Sequence, residues 1–272
     1  MTTTPSDLTI KPREIAFGRE TTYGRWWIGG DPAATTFHNA LSVTFPLGER
    51  FFMDSVRHYR SRTSEPLNSQ IGAFLTQEAM HSREHVFFNK QVTANGYDIT
   101  RMEKRLEWRI NLSRKAPPAM QLAATAALEH FTAILAHTAL SNPHLIAGAD
   151  PEAARMWRWH AMEEIEHKAV AYDTYLTAVG GGPVGRWLLR SFVMLLATLL
   201  FTITITRNTF DFFAQDKLNN LRTWGRLLYY LWGPRGFLSS SVGAYFSYYR
   251  PGFHPWEVDD RPLIADLQAQ YA

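Results

Sequence analysis

Two stretches of the chain place a carboxylate three residues ahead of an imidazole. They are Glu78 and His81 in "QEAMHSREH" (77–85), and Glu164 and His167 in "EEIEHKAVAYD" (163–173). A spacing of three keeps both groups on one face of a helix. A carboxylate beside a neutral imidazole is a donor pair for a divalent cation. With 14 Glu and 10 His in 272 residues, chance supplies about half of one such pair. A single pair would read as an ordinary surface contact. Two pairs, each at the middle of an apolar seam, point to a buried metal site.

Periodicity identifies the elements that must hold these groups. Steps of three and four give four seams: Phe45, Glu49, Phe52, Val56, Tyr59; Ile71, Phe74, Glu78, His81, His85, Phe88, Val92; Leu122, Ala126, Glu129, Ala133, Ala136; and Ala153, Trp157, His160, Glu164, His167, Ala171. Each is apolar at its ends and ionisable at its centre. A buried carboxylate must be paired, protonated or bound to metal, and no Lys or Arg lies on these seams. Two divalent cations would neutralise Glu49, Glu78, Glu129 and Glu164, with His81 and His167 completing the set. One Glu from each of two helices, plus Glu-x-x-His from each of two others, is the ligand pattern of ferritin-like dinuclear carboxylate bundles. The same six are the candidate catalytic residues.

Chain order fits that pattern. Glu49 precedes Glu78 by 29 residues and Glu129 precedes Glu164 by 35, so each half forms a helical hairpin. The longer connection between halves carries a basic amphipathic helix, Arg101 to Lys115. His85 and His160 are mirror-placed, one turn from His81 and Glu164, as extra ligands or as partners of the ligands. His130 lies about 100° round the helix from Glu129 and reads as a neighbour of the site. Glu84, Glu163 and Glu166 fall off the seams and are expected on solvated faces. His137 and His144 are expected outside the site.

The stretches "GERFF", "QEAMHSREHVFFN", "ALEH" and "EEIEHKAVAYD" resemble the bacterial family of predicted metal-dependent hydrolases, over roughly residues 35–250. The resemblance implies a ferritin-like helical fold and a metal-dependent reaction, and it carries over to the six residues already chosen by seam geometry. A fold or ligand set does not by itself define a reaction. A donor set rich in Glu and poor in His suits iron or manganese better than zinc. The expectation is therefore a di-iron (or di-manganese) oxidase or oxygenase, using O2 and an electron donor. The alternative is a hydrolase using a metal-bridging hydroxide, with zinc also admissible. No Ser-His-Asp arrangement supports metal-free hydrolysis.

Composition bounds the rest. Hydrophobic residues at 46% and charged residues at 19% exclude a disordered chain. The absence of cysteine removes disulfides and thiolate chemistry. The pI near 9.1 is a mild basic excess, and with no nucleic-acid motif, nucleic acid is not an expected partner. The fold class is all-α: an irregular arm over 1–34, a four-helix bundle over 35–180, and a hydrophobic, aromatic helical extension over 181–272 packed on it. Within the extension, 16 uncharged residues between Arg190 and Arg207 span about 24 Å as a helix, short of the roughly 30 Å of hydrocarbon in a bilayer. They read either as a buried helix closing the bundle or as a membrane-surface contact. An apolar or lipid-like substrate is expected, reaching the metals beside this helix. Without an apolar leader in "MTTTPSDLTIKPREIAF", the expected location is cytoplasmic, including the inner face of the membrane. A homodimer is compatible with all of this.

Overall fold

A computed structural model describes residues 3–271. The chain is all-α, and no strand occurs among the described residues. The helices are α1 (Pro32–Ser42), α2 (Phe45–Tyr59), α3 (Leu67–Ala94), α4 (Thr100–Ser113), α5 (Pro118–Ser141), α6 (Pro151–His167), α7 (Val170–Ala178), α8 (Pro183–Gln215), α9 (Leu221–Trp232), α10 (Val242–Ser247) and α11 (Arg261–Gln270). Their starts follow local chemistry. Asp31 caps α1, accepting from the Ala33 amide at 2.7 Å, and Asp150 caps α6, accepting from Glu152 and Ala153 at 3.0 and 3.1 Å. Prolines stand in the first turn of α2, α5, α6 and α8, where no backbone donor is lost. Gly96, at φ +86°, ends α3 in a conformation that disfavours side chains.

Four seams meet at the centre. Helix α2 packs on α3, α5 packs on α6 and α7, and cross-contacts join α2 to α5 and α3 to α6 and α7. The fourth seam is not one helix, because α6 ends at His167 and α7 restarts at Val170. The break falls where Lys168 turns away to donate to Asp260 at 2.5 Å and to the Val258 carbonyl at 2.9 Å. Helix α4 lies outside the bundle with Met102 and Leu106 as its buried anchors, as its amphipathic pattern predicts.

The arm ahead of α1 is extended but firmly packed. Phe17, Tyr23, Trp27 and Ile28 are buried in the main core, and Phe17 lies 5.2 Å from the Trp159 ring. A single bridge pairs Ile28 with Ala149, and Gly29 donates to the Gly148 carbonyl at 3.0 Å. Both glycines have positive φ, and a Cβ on Gly29 would sit 3.2 Å from the Ala147 carbonyl oxygen. This crossing needs residues without side chains.

Candidate metal centre

The six residues chosen from the seams converge in one buried cluster. Helix α2 supplies Glu49, α3 supplies Glu78 and His81, α5 supplies Glu129, and α6 supplies Glu164 and His167. None is more than 4% exposed. His167 Nε2 lies 3.2 Å from Glu78, 3.5 Å from Glu129 and 3.6 Å from Glu164; His81 Nδ1 lies 3.5 Å from Glu164. Three triads bring one donor atom per member within 4.8 Å of the others: Glu78, Glu129 and His167; Glu78, His81 and Glu164; Glu49, His81 and His160. Glu78 and His81 each belong to two triads, so the groups form one continuous centre.

Hydrogen bonding tests whether these residues fit metal ions. Every one of the six presents at least one buried polar atom with no hydrogen-bond partner: Glu49 Oε1, both oxygens of Glu78 and of Glu129, Glu164 Oε2, His81 Nδ1 and His167 Nε2. Buried polar atoms are almost always partnered, so orphaned atoms from all four helices, gathered at one point, match a cation-binding cavity. The opposite imidazole nitrogens are engaged. His81 Nε2 meets Glu163 Oε2 at 3.1 Å, and His167 Nδ1 meets Gln77 Oε1 at 3.0 Å. Each contact holds a proton on the outward nitrogen and turns the other nitrogen inward, where a metal ion would replace its proton, which is how metal-binding histidines are oriented.

This outer ring corrects the expectation that Glu84, Glu163 and Glu166 face solvent: all three are at most 1% exposed. Arg13 of the arm reaches between α3 and α6, donating to Glu163 at 3.2 Å and to Glu166 at 3.0 and 2.8 Å. Glu166 also accepts from Gln77 at 2.8 Å and from Gln268 of α11 at 2.7 Å, and Trp159 donates to Glu163 at 3.1 Å. Glu84 is held by Arg19 at 2.6 Å, Arg83 at 2.8 Å and the Phe17 amide at 3.1 Å. These carboxylates are buried because their cations are brought to them. Most of those cations come from an irregular segment with no periodicity to announce it.

His160 and His85 form a second buried chain. Asn89 Nδ2 donates to the Ser42 carbonyl at 3.2 Å, which turns its Oδ1 toward the Ser42 hydroxyl at 2.8 Å. With that hydroxyl donating to Asn89, its oxygen accepts from His85 Nδ1 at 2.9 Å. His85 Nε2 then accepts from His160 Nδ1 at 2.6 Å. Burial, followed by the neighbouring His160 and His81 charges, keeps His85 well below its ordinary pKa; burial and then the His81 charge hold His160 down at about 4, so both rings are neutral. His160 Nε2 is thereby left with a lone pair, facing Glu164 Oε1 at 2.8 Å and Glu49 Oε1 at 3.9 Å. A cation between them resolves the meeting of acceptors. His160 is therefore a candidate further donor beside the six, and His85 meets its Nδ1. His130 is not part of the centre: its Nε2 meets the Ala244 carbonyl at 3.0 Å and its ring packs on Tyr248 and Phe253. His137 turns instead to Asp260 at 2.8 Å.

Without metal, protons must satisfy the inner carboxylates. Burial, then the repulsion of neighbouring carboxylates, raises Glu49 and Glu129 well above the ordinary range, and burial raises Glu78. For Glu164 the effect of burial is outweighed by the neighbouring His167 charge, so its pKa falls well below normal. Burial alone would lower His81, but the hydrogen bond to Glu163 and the nearby Glu164 carboxylate carry it up to about 10. A narrow cavity of about 60 Å³ adjoins Glu164 and His160, bordered by Phe45, Trp157, Phe237 and, from α8, Phe201.

Fold and site together define a helical metalloprotein with a buried carboxylate–imidazole centre. A family model described as predicted metal-dependent hydrolase matches residues 11–259, and the chain belongs to that family. The match is wider than the motif-bearing 35–250 and takes in Arg13 and Arg19 of the arm. No curated protein and no solved structure matches the chain. The family description favours metal-dependent hydrolysis, the alternative in the sequence reading. O2-dependent oxidation draws no support from the comparisons.

Proposed function

We propose that the protein is a metal-dependent hydrolase with a dinuclear centre held by Glu49, Glu78, His81, Glu129, Glu164 and His167 on a ferritin-like bundle, with His160 as an added donor. The observation that carries this reading is the set of partnerless buried donor atoms contributed by all six residues. Bound divalent ions supply Lewis acidity and lower the pKa of water to near neutrality. The chain's own residues do the rest. Glu163 and Gln77 fix the two imidazoles. Glu78, common to two of the triads, would help to hold ions at both. Phe45, Trp157, Phe201 and Phe237 exclude bulk water from the approach through Glu164 and His160. That lining favours the apolar part of an ester or phosphoester. At about 60 Å³ the cavity admits only a short portion of a chain unless it opens.

The donor ratio, four carboxylates to two or three imidazoles, favours manganese or iron over zinc and supports a second reading as an O2-using oxidase. One experiment separates the two. Protein loaded with Mn, Zn or anaerobic Fe(II) is assayed against acyl esters, phosphodiesters and amides, while O2 uptake is followed in the iron form. Metal-dependent ester or phosphodiester cleavage is expected. O2 consumption by the iron form, with no cleavage under any metal, would replace hydrolysis by oxidation.

A further inference from the structure

Helix α8 is long and apolar enough to cross a membrane by length and composition, as is α5, yet the two differ in placement. In its most apolar stretch α5 is 61% buried, whereas α8 is only 28% buried. The inner face of α8 packs on α5 and α1 through Val193, Met194, Ala197, Ile205, Phe212 and Phe213. Its outer face shows Val184, Leu188, Phe192, Leu195, Leu199 and Ile203, each between 37 and 66% exposed. Steps of 4, 4, 3, 4 and 4 keep these six on one stripe about 28 Å long. Soluble monomers rarely leave such a stripe uncovered.

Charge says what covers it. Between residues 174 and 256 the chain carries eight Arg or Lys and only two acids, Asp211 and Asp216, a surplus of six in a protein whose total is +3. Most of the protein's exposed large apolar side chains lie in this same stretch. Alongside the stripe, a groove of about 520 Å³ between α4 and α8 is lined by Arg101, Lys104, Arg105, Arg109 and Arg207, with Trp108 at 68% exposure beside them. Arg105 pairs with Asp211 at 2.5 Å, and Arg109 donates to the Leu200 carbonyl at 2.7 Å, so the basic wall is fixed to α8 itself. On amphipathic α9, Leu228, Tyr229 and Trp232 are more than half exposed and are accompanied by Arg222 and Arg226. Apolar residues flanked by aromatics and cations are what an interfacial helix presents to acyl chains and phosphate headgroups.

We propose that the outer face of α8, with the α4–α8 basic groove, docks this protein on the surface of an anionic phospholipid bilayer. The helix lies along the surface rather than across it, because its other face belongs to the bundle. The inference does not depend on whether the metal centre hydrolyses or oxidises. Full-length protein is mixed with vesicles of phosphatidylcholine alone or of phosphatidylcholine with phosphatidylglycerol, and floated at low and high salt. Binding to the anionic vesicles is expected, weakened by salt and by omitting phosphatidylglycerol. Leu195→Glu/Leu199→Glu and, separately, Arg101→Glu/Lys104→Glu should each weaken it by about tenfold or more, with metal content unchanged. No flotation with anionic vesicles, or flotation indifferent to both double variants, overturns the proposal. So does a stable dimer in sedimentation that Leu195→Glu/Leu199→Glu dissociates, because the stripe would then be covered by a second copy.

Discussion

Arg13→Ala tests whether the arm sets the metal centre or merely covers it. Arg13 is 6% exposed and makes three charge-assisted hydrogen bonds of 2.8 to 3.2 Å to Glu163 and Glu166. Removing one partner from a buried ion pair costs about 3–5 kcal/mol. The lower end applies here, because Glu166 keeps Gln77 and Gln268 while Glu163 keeps Trp159 and His81. The functional effect runs through the imidazoles. Without that guanidinium, Glu163 loses one of the groups that fix its position and holds the His81 Nε2–H less firmly. Glu166 likewise loosens its hold on Gln77, and with it on His167. Loss of such outer partners typically weakens metal affinity about 10–100-fold, or about 1.4–2.8 kcal/mol. Competition with a fluorescent chelator gives the affinity, urea unfolding of the metal-free protein gives the stability, and the Co(II) absorption spectrum reports imidazole geometry. Arg13→Lys, which restores charge without the planar fork, should recover stability more fully than affinity. If Arg13→Ala unfolds more easily yet binds metal with unchanged affinity and spectrum, the arm is structural only and the reasoning fails.

Two further outcomes follow from the inner cluster. Glu129→Ala removes both oxygens that face the centre without partners, and metal analysis should return fewer than two ions per chain; a full complement would show that Glu129 is no ligand. The metal-free protein should lose stability as pH rises from about 7 to 9; below that range the buried histidines held low, His38, His85, His130 and His160, act in the opposite sense. The raised carboxylates Glu49, Glu78 and Glu129 bind more protons folded than unfolded across that window. His81 acts in the same sense, its contribution being complete below the ordinary imidazole pKa and lost as pH rises through about 10. Glu164, with its lowered pKa, is already ionised throughout and adds no slope there. Metal replaces those protons, so the gap in Tm between loaded and metal-free protein should widen with pH; a gap that stays constant from about pH 5.5 to 8.5 would contradict the assignment.

The inner centre was legible because helices are local objects. Once Glu49, Glu78, Glu129 and Glu164 are written at helical spacing among apolar neighbours, their common burial follows from the need to hide each seam. The outer ring was not legible, for an equally physical reason. Glu163 and Glu166 differ from solvated glutamates only through Arg13, which lies 150 residues away in a segment without regular structure. The same holds for Glu84 with Arg19, and for the Ser42–His85–His160 chain, whose links join α1, α3 and α6. The end of α6 at His167 was also hidden, since nothing in "EEIEHKAVAYD" is a helix breaker. For α8 the composition was plain, but which face turns inward depended on how α5 and α1 pack against it.

The two rings of carboxylates around His81 and His167 are treated in opposite ways, and the contrast bears on the metal. Glu84, Glu163 and Glu166 each have an arginine within 3.2 Å. Glu49, Glu78, Glu129 and Glu164 have none within ion-pair distance among the described residues, only imidazoles. A chain able to bring Arg13 and Arg19 to the outer acids has left the inner four without a fixed cation, although burying an unpaired charge is far more costly than pairing it. Removable charge satisfies that arrangement, as protons in the metal-free state and as divalent ions in the loaded one. The outer ring already anchors His81 Nε2 and His167 Nδ1 without metal, so exchanging protons for metal would require little movement of the ligands. Little affinity is then lost to ordering the site on binding. Arg13 thus acts at one remove from the inner cluster: it holds Glu163 and Glu166 in place, and Glu163 and Gln77 in turn hold the two imidazoles.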